Sequence, residues 1–369
     1  MSSMALPDLS GLALRCESIG VGGASDEESG DEGDSLAKIL TRHILTRHSR
    51  GYKKRVASTR EEPRDQAPSS SGGFVVKKRA HWNAPPWRSE SVLDFMFENP
   101  LDGKFKDTPS VEQLLRDNPG VVRQYNTSYC NYGYSYRKRT VLIGTLTQLS
   151  LKPPCPAQAC RQFALHGKHS EAVAECDDAQ KNSLPPGLVD AMIGGWISRH
   201  EGRVERFLLV DVFSGWGSIE KRVAEKKAIG EWQNVFTFAN DIVKRPHTQS
   251  NFDMSENTPW NPGMLLAFAL NALWPENHTL VAEHPRGALG WVQDNGVAVL
   301  FHCSTPCKTY STNALATHRV AGTAYPKTPQ AEHDDAMNAS LIDYFTRNVL
   351  TPYKPHIQTK VESGMKSRK

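Results

Sequence analysis

Residues Arg206–Ala228 read RFLLVDVFSGWGSIEKRVAEKKA. An apolar run ends at Asp211, a turn with Gly215 and Gly217 follows, and Ile219–Ala228 has helical character. VFTFAND, Val235 to Asp241, then reads as a second buried strand with an acid at its end. Strand, glycine-rich turn, helix and strand in that order make an α/β unit. Gly215 and Gly217 lack side chains, so the backbone there can approach a ligand closely. The turn has no G-K-[ST] and is too short for a phosphate-binding Walker loop. An acid at the next strand end can accept both ribose hydroxyls of a nucleoside cofactor. A tight turn of any α/β protein would read the same way.

The same alternation extends in both directions. Strands are expected at VLDFMF (Val92–Phe97), at Thr140–Thr145 and at Val297–Phe301. Helices are expected at Ser110–Leu115, along PPGLVDAMIGGWISRH, at Met264–Trp274, and from Pro329 with Thr328 as N-cap. The fold class that follows is α/β with a mainly parallel sheet, and ligands bind beyond the carboxyl ends of such strands.

Composition sets the limits. The chain has 369 residues, 38% hydrophobic content and a net charge of +4. Residues 1–80 hold an acidic block, SDEESGDEGD, and a basic one, LTRHILTRHSRGYKKR, and are expected to be a disordered charged tail. A catalytic domain is expected over 81–352 and a basic tail over 353–369. The longest apolar run, Met264–Trp274, is too short to cross a bilayer, and the N-terminus lacks a signal peptide's basic start. A soluble intracellular protein, nuclear if eukaryotic, is the expectation. Seven unevenly spaced cysteines suit thiols or metal ligands in a reducing compartment.

Three further stretches carry chemistry. In STPCKTYS, Cys307 follows Pro306 just past a buried strand, where a nearby cation would favour the thiolate. In FMFENP, Glu98 ends a strand, where partial desolvation would let it donate a proton. In YRKRT, Arg137 and Arg139 could hold a phosphate or a base carbonyl. A structural cysteine and a solvated glutamate are the plain readings of the first two.

Together these motifs resemble the DNA cytosine-5 methyltransferases of the short phage or viral-like type. DVFSGWGS is similar to their cofactor loop, STPCKTYSTNALATHR to their Pro-Cys motif and FENPLDGKFKDTP to their Glu-Asn motif. TSYCNYGYSYRKRTVLIG is similar to their Arg motif and LPPGLVDAMI to their closing helix. The resemblance covers residues 82–350. It implies a Rossmann-like S-adenosylmethionine-dependent methyltransferase fold, acting as a monomer on DNA. It implies Cys307 as nucleophile on a flipped cytosine, Glu98 as the acid that activates the ring, and Arg137 or Arg139 near the nucleotide. Asp211, Phe213, Gly215, Gly217, Asp241 and Asp253 would surround the cofactor, with Glu283 the alternative to Asp253. The order departs from the family. Members run from cofactor loop through Pro-Cys and Glu-Asn to the Arg motif and closing helix. This chain starts at Glu-Asn and ends with Pro-Cys, which implies a circular permutation. Thr305 and Tyr136 also depart from the common residues, and 260–295 is an apparent insertion. Other readings are a catalytically silent relative that binds DNA or a partner, and an RNA methyltransferase, which would need a Thr-Cys step where Glu98-Asn99 stands.

Residues 148–183 occupy the place of a target-recognition domain and are too few to form one. They offer Cys155, Cys160, His166, His169 and Cys176. Four of these could hold zinc tetrahedrally. The spacings are loose, so a loop with scattered polar residues is favoured over a metal site.

Overall fold

The structure, a computed structural model, describes residues 92–156, 163, 169, 176–255, 261–311 and 315–351. The charged tail, the first residues of the domain expected from 81, residues 157–162, 164–168 and 170–175 of the 148–183 segment, and the basic C-terminus lie outside the described residues.

Six strands form one sheet. They are β1 (Leu93–Pro100), β2 (Arg123–Ser128), β3 (Arg139–Gly144), β4 (Arg206–Asp211), β5 (Val235–Ala239) and β6 (Val297–Cys303). Their spatial order is β2-β3-β1-β6-β4-β5. The four strands β1, β6, β4 and β5 run parallel, while β3 is antiparallel to both β1 and β2. The protein is therefore α/β with a mostly parallel sheet, an arrangement compatible with a Rossmann-like fold.

Six longer helices cover the sheet: α1 (Pro109–Asp117), α2 (Pro186–His200), α3 (Ser218–Ala228), α4 (Pro262–Leu273), α5 (Gly287–Asp294) and α6 (Pro329–Phe345). The apparent insertion at 260–295 is thus α4, α5 and a short turn of helix at His278–Ala282. Successive strand side chains point to opposite faces, and the core divides accordingly. Leu93, Phe95 and Phe97 of β1 pack with α1, α4, α5 and α6, whereas Met96 packs with α2 and α3. Strands covered on both faces read as continuous apolar runs, which is why VAVLF and FLLV stand out in the sequence.

Two helix starts follow from their caps. Thr328 accepts the Ala331 N–H before Pro329, and Asn261 accepts from Gly263 and Met264 before Pro262. A side-chain oxygen there satisfies donors that the first turn leaves open. The strand β2 was not expected. RQYNTS is polar, and β2 is an edge strand hydrogen-bonded to β3 alone.

The last helix returns to the first described strand. Phe345 of α6 stacks on Phe95 with ring centroids 4.8 Å apart, and packs edge-on against Phe97. On the other face, α2 ends at His200 and Gly202 turns the chain with φ +75° into β4. Asp94, fully buried, fastens that corner. It accepts from His200 Nε2 at 2.6 Å and Thr145 Oγ1 at 2.7 Å, with Arg199 Nε at 3.6 Å.

Removing one partner of a buried polar network leaves the others unsatisfied. Asp94→Ala is expected to destabilise the fold by about 3 kcal/mol, read as a lower urea midpoint. An unchanged midpoint would show that the corner is not held this way.

A candidate active site at the carboxyl ends of the strands

Strand order reverses between β4 and β6: β4 leads outward to β5, and the chain then crosses back to place β6 on the other side of β4. Ligand crevices of open parallel sheets form at such a point, beyond the carboxyl ends. A cavity opens there, lined by residues at or just after the carboxyl ends of β1, β4, β5 and β6. Cys307, Glu98, Asp211, Phe213, Gly215 and Asp241 all line it.

Glu98 is 6% exposed. Its carboxylate accepts from Tyr129 OH at 3.0 Å and from Ser304 Oγ at 2.9 Å. Burial, followed by the charge of Glu98, pushes the Tyr129 hydroxyl well above its ordinary pKa, so it stays a donor. Beside Glu98, the Asn99 amide donates to Thr305 Oγ1 at 2.9 Å. Thr305, the residue before Pro306, is therefore an acceptor that ties the two strand ends together.

The chain turns at Cys307, whose carbonyl accepts from Tyr310 N and Ser311 N. A buried polar cluster holds this turn against α6. Thr309 donates to Asp334, Tyr310 OH donates to Asp335, and Asn338 donates to Tyr310 OH. Arg319, 1% exposed, reaches the Thr309 carbonyl and Asp335 and lies over the Tyr310 ring. From the other side, Lys104 N–H donates to the Tyr310 carbonyl, and Gly103 leaves room for that approach: a Cβ there would stand 2.5 Å from the same oxygen. Burial raises the Cys307 thiol above its ordinary pKa; Lys138 pulls it down and Glu98 pushes it up. Cys303, four residues earlier, is fully buried in the core instead.

Lys138, between the two arginines, lines the cavity beside Glu98, and Arg245 is a second cation in its wall. Its Nζ stands 3.9 Å from Glu98 Oε1 and 4.7 Å from the centre of the Tyr129 ring. Arg137 is exposed and pushes the half-buried His169 imidazole downward, after burial as the larger cause. Arg139 pairs with Asp102 at 2.5 Å. Neither arginine lines the cavity. Tyr136 is buried and donates to the Gln180 carbonyl.

On the β4 side, Gly215 N–H donates to Asp241 Oδ2 at 2.8 Å, so the acid after β5 braces the glycine turn. Gly217 has φ +70°, and a Cβ there would lie 2.6 Å from the His247 ring. Leu184 N–H donates to Ser218 Oγ, and Arg222 grips Asp190 through two hydrogen bonds, setting α2 beside this turn. Arg245 stacks over Trp216 at 4.2 Å, forming a wall that the sequence did not announce. Asp253 is exposed and accepts its own Ser255 N–H, and Glu283 is exposed after His278–Ala282; neither reaches the cavity.

Two acids sit deeper. Asp211 accepts from or donates to His302 Nδ1 at 3.0 Å, according to the imidazole tautomer, and both are buried. Glu220, in the first turn of α3, has both oxygens buried with no hydrogen-bond partner among the described residues. Burial, then the Asp211 charge, raises its carboxyl well above the ordinary range.

Lys138→Met should move the pH midpoint of Cys307 alkylation up by on the order of one unit, because the pull of the ammonium is lost. Glu98→Gln should move it down. Iodoacetamide labelling with peptide mass spectrometry reads both, and identical profiles would remove Lys138 and Glu98 from the control of the thiol. Glu220 gives a second test. Its folded pKa lies above the unfolded value of 4.5, so its stability contribution is full below 4.5 and is lost as pH rises to the folded value. Glu220→Gln should therefore gain melting temperature over the wild type progressively from 4.5 up to the folded value and keep that gain above it. A pH-independent difference would contradict the burial.

A scan against protein-family profiles finds no match for this chain, and a search of curated proteins finds no relative.

Proposed function

We propose that the chain is an S-adenosylmethionine-dependent DNA (cytosine-5) methyltransferase with circularly permuted motifs. The observation that carries this reading is the meeting of Glu98 and Cys307 on one cavity, with Ser304 and Thr305 bonded across to Glu98 and Asn99. Those pairs lie 206 residues apart in sequence. A thiol beside a carboxyl, at the switch point of a parallel sheet, suits addition to an electron-poor ring held out of its stack.

In this mechanism Cys307 adds as thiolate to carbon 6 of cytosine, while Glu98 donates a hydrogen bond or proton to ring nitrogen 3. Electron density moves to carbon 5. S-adenosylmethionine, when bound, would supply a methyl group from its sulfonium to carbon 5 and leave as the neutral thioether. Loss of the carbon 5 proton to a base then lets the Cys307–carbon 6 bond break and restores the aromatic ring. Lys138 takes the place expected for an arginine, holding Glu98 and easing ionisation of Cys307. Asp211, Phe213, Gly215 and Asp241, which line the cavity, would hold the cofactor.

The permutation has its own support. Phe345 of the last helix packs on Phe95 and Phe97, so the proposed cut joins neighbours. Five residues, 201–205, suffice between α2 and β4. Permutation is tolerated where old ends are close and the cut is an exposed connection.

A catalytically silent DNA-binding relative is the second reading, favoured by the position of Arg137 and Arg139 outside the cavity. Transfer of labelled methyl groups to DNA by the wild type, lost in Cys307→Ala, separates the two. DNA containing 5-fluorocytosine should trap the wild type covalently and leave Cys307→Ala free. Transfer that survives Cys307→Ala would sink the mechanism. RNA offered in parallel should remain unmodified.

A further inference from the structure

Next to Tyr129, which donates to Glu98, Cys130 converges with Cys155 and His169. Their ligand atoms all lie within 4.8 Å of one another. Cys155 Sγ stands 3.4 Å from His169 Nε2. Zinc bonds of about 2.3 Å to sulfur and 2.0–2.1 Å to nitrogen give a tetrahedral S···N edge of about 3.6 Å, close to that separation. Cys130 and Cys155 are 5% and 4% exposed and share a small cluster with Phe163.

The backbone around the group is built to hold it. Residues 152–155 are strapped to the end of β2 and its following turn. Cys155 N–H donates to Ser128 Oγ, Thr127 Oγ1 donates to the Lys152 carbonyl, and Lys152 N–H donates to Tyr132 OH. Asn131 Nδ2 donates to the Pro153 carbonyl, and Lys152 Nζ to that of Asn131. Cys130 is thereby fixed opposite Cys155, 25 positions on.

We propose that Cys130, Cys155 and His169 bind a zinc ion that fastens the strap at residues 151–156, together with His169, to the turn carrying Tyr129. Two thiolates neutralise the divalent cation, so the complex is uncharged where separate thiolates would be costly to bury. Binding releases both thiol protons, and the imidazole ligates through an unprotonated nitrogen. The fourth tetrahedral position is left to a water or another donor. Cys160 and His166 lie outside the described residues, and neither is needed for the three-donor group. Of the five residues expected to offer zinc ligands, two belong to it. Cys176 packs instead in the core with Leu184 and Leu188. The site stands whether or not the chain transfers methyl groups. Its neighbour in sequence, Tyr129, donates to Glu98, so the ion would also steady the acid's partner.

The test uses the full chain purified under reducing conditions from zinc-containing medium. Elemental analysis should find a single zinc equivalent per chain. Cobalt exchanged into the apo protein should show the intense visible bands and sulfur-to-metal charge transfer of a tetrahedral thiolate site. Cys130→Ser, Cys155→Ser and His169→Ala should each lose the metal, while Cys176→Ser keeps it. His169→Cys preserves a donor and should retain cobalt with a shifted spectrum, which guards against a variant that simply misfolds. A wild type that takes up neither metal would overturn the proposal. So would full retention by all three ligand variants, or a Cys130–Cys155 disulfide found by mass spectrometry in the reduced preparation.

Discussion

Everything at the cavity depends on β6 being hydrogen-bonded on both sides, to β1 and to β4, in a single register. Asp211 pairs with His302, and Phe97 pairs with Cys303. Glu98 and Ser304 are therefore the next residues on adjacent strands, and their side chains meet. A slip of one residue would turn every side chain of β6 to the opposite face. His302 would enter the core and Phe301 the cavity. Burial of β6 on both faces makes that slip costly, because apolar area removed from water contributes roughly 25 cal/mol per Å².

Rigidity is the second property the strand ends share. The Cys307 turn is held by Thr309, Tyr310, Arg319, Asp334, Asp335 and Asn338, all joined by hydrogen bonds. Such a buried network offers little over an apolar core in stability, but it specifies one arrangement of a turn that packing alone would leave loose. Carboxyls outnumber ammonium groups around the cavity, and Lys138 stands against Glu98. Burial, more than these charges, makes the resting thiol favour its proton, and a substrate that draws Glu98 into a hydrogen bond would ease its ionisation.

Much of this was legible in the sequence. The four parallel strands are apolar runs ending in polar residues, and Glu98, Asp211, Asp241 and Cys307 follow such ends. What escaped has physical reasons. RQYNTS became a strand because β3 offered an open edge, not because its residues favour burial. The cations that line the cavity are Lys138 and Arg245, not Arg137 and Arg139, and the order of charges in YRKRT does not distinguish them. Asp253 turned outward by capping its own Ser255 N–H. Cys130 gave no signal in sequence because its partner thiol lies far along the chain and is brought close by backbone straps around Lys152. Glu220 carried no signal in the sequence, and only the packing of α3 shows its carboxyl oxygens buried.

The position of β6 in chain order bears on how the molecule is made. A chain emerging from its N-terminus delivers β1, β2 and β3 first, then β4 and β5, and the strand that joins the two sets comes almost last. Until it arrives, β1 has an open apolar edge on one half and β4 on the other, each a template for wrong pairing. Sheet closure waits for contacts of high sequence separation, which slows folding. Synthesis of this chain thus carries a long interval in which two half-sheets need shielding, and a chaperone that covers strand edges would act there.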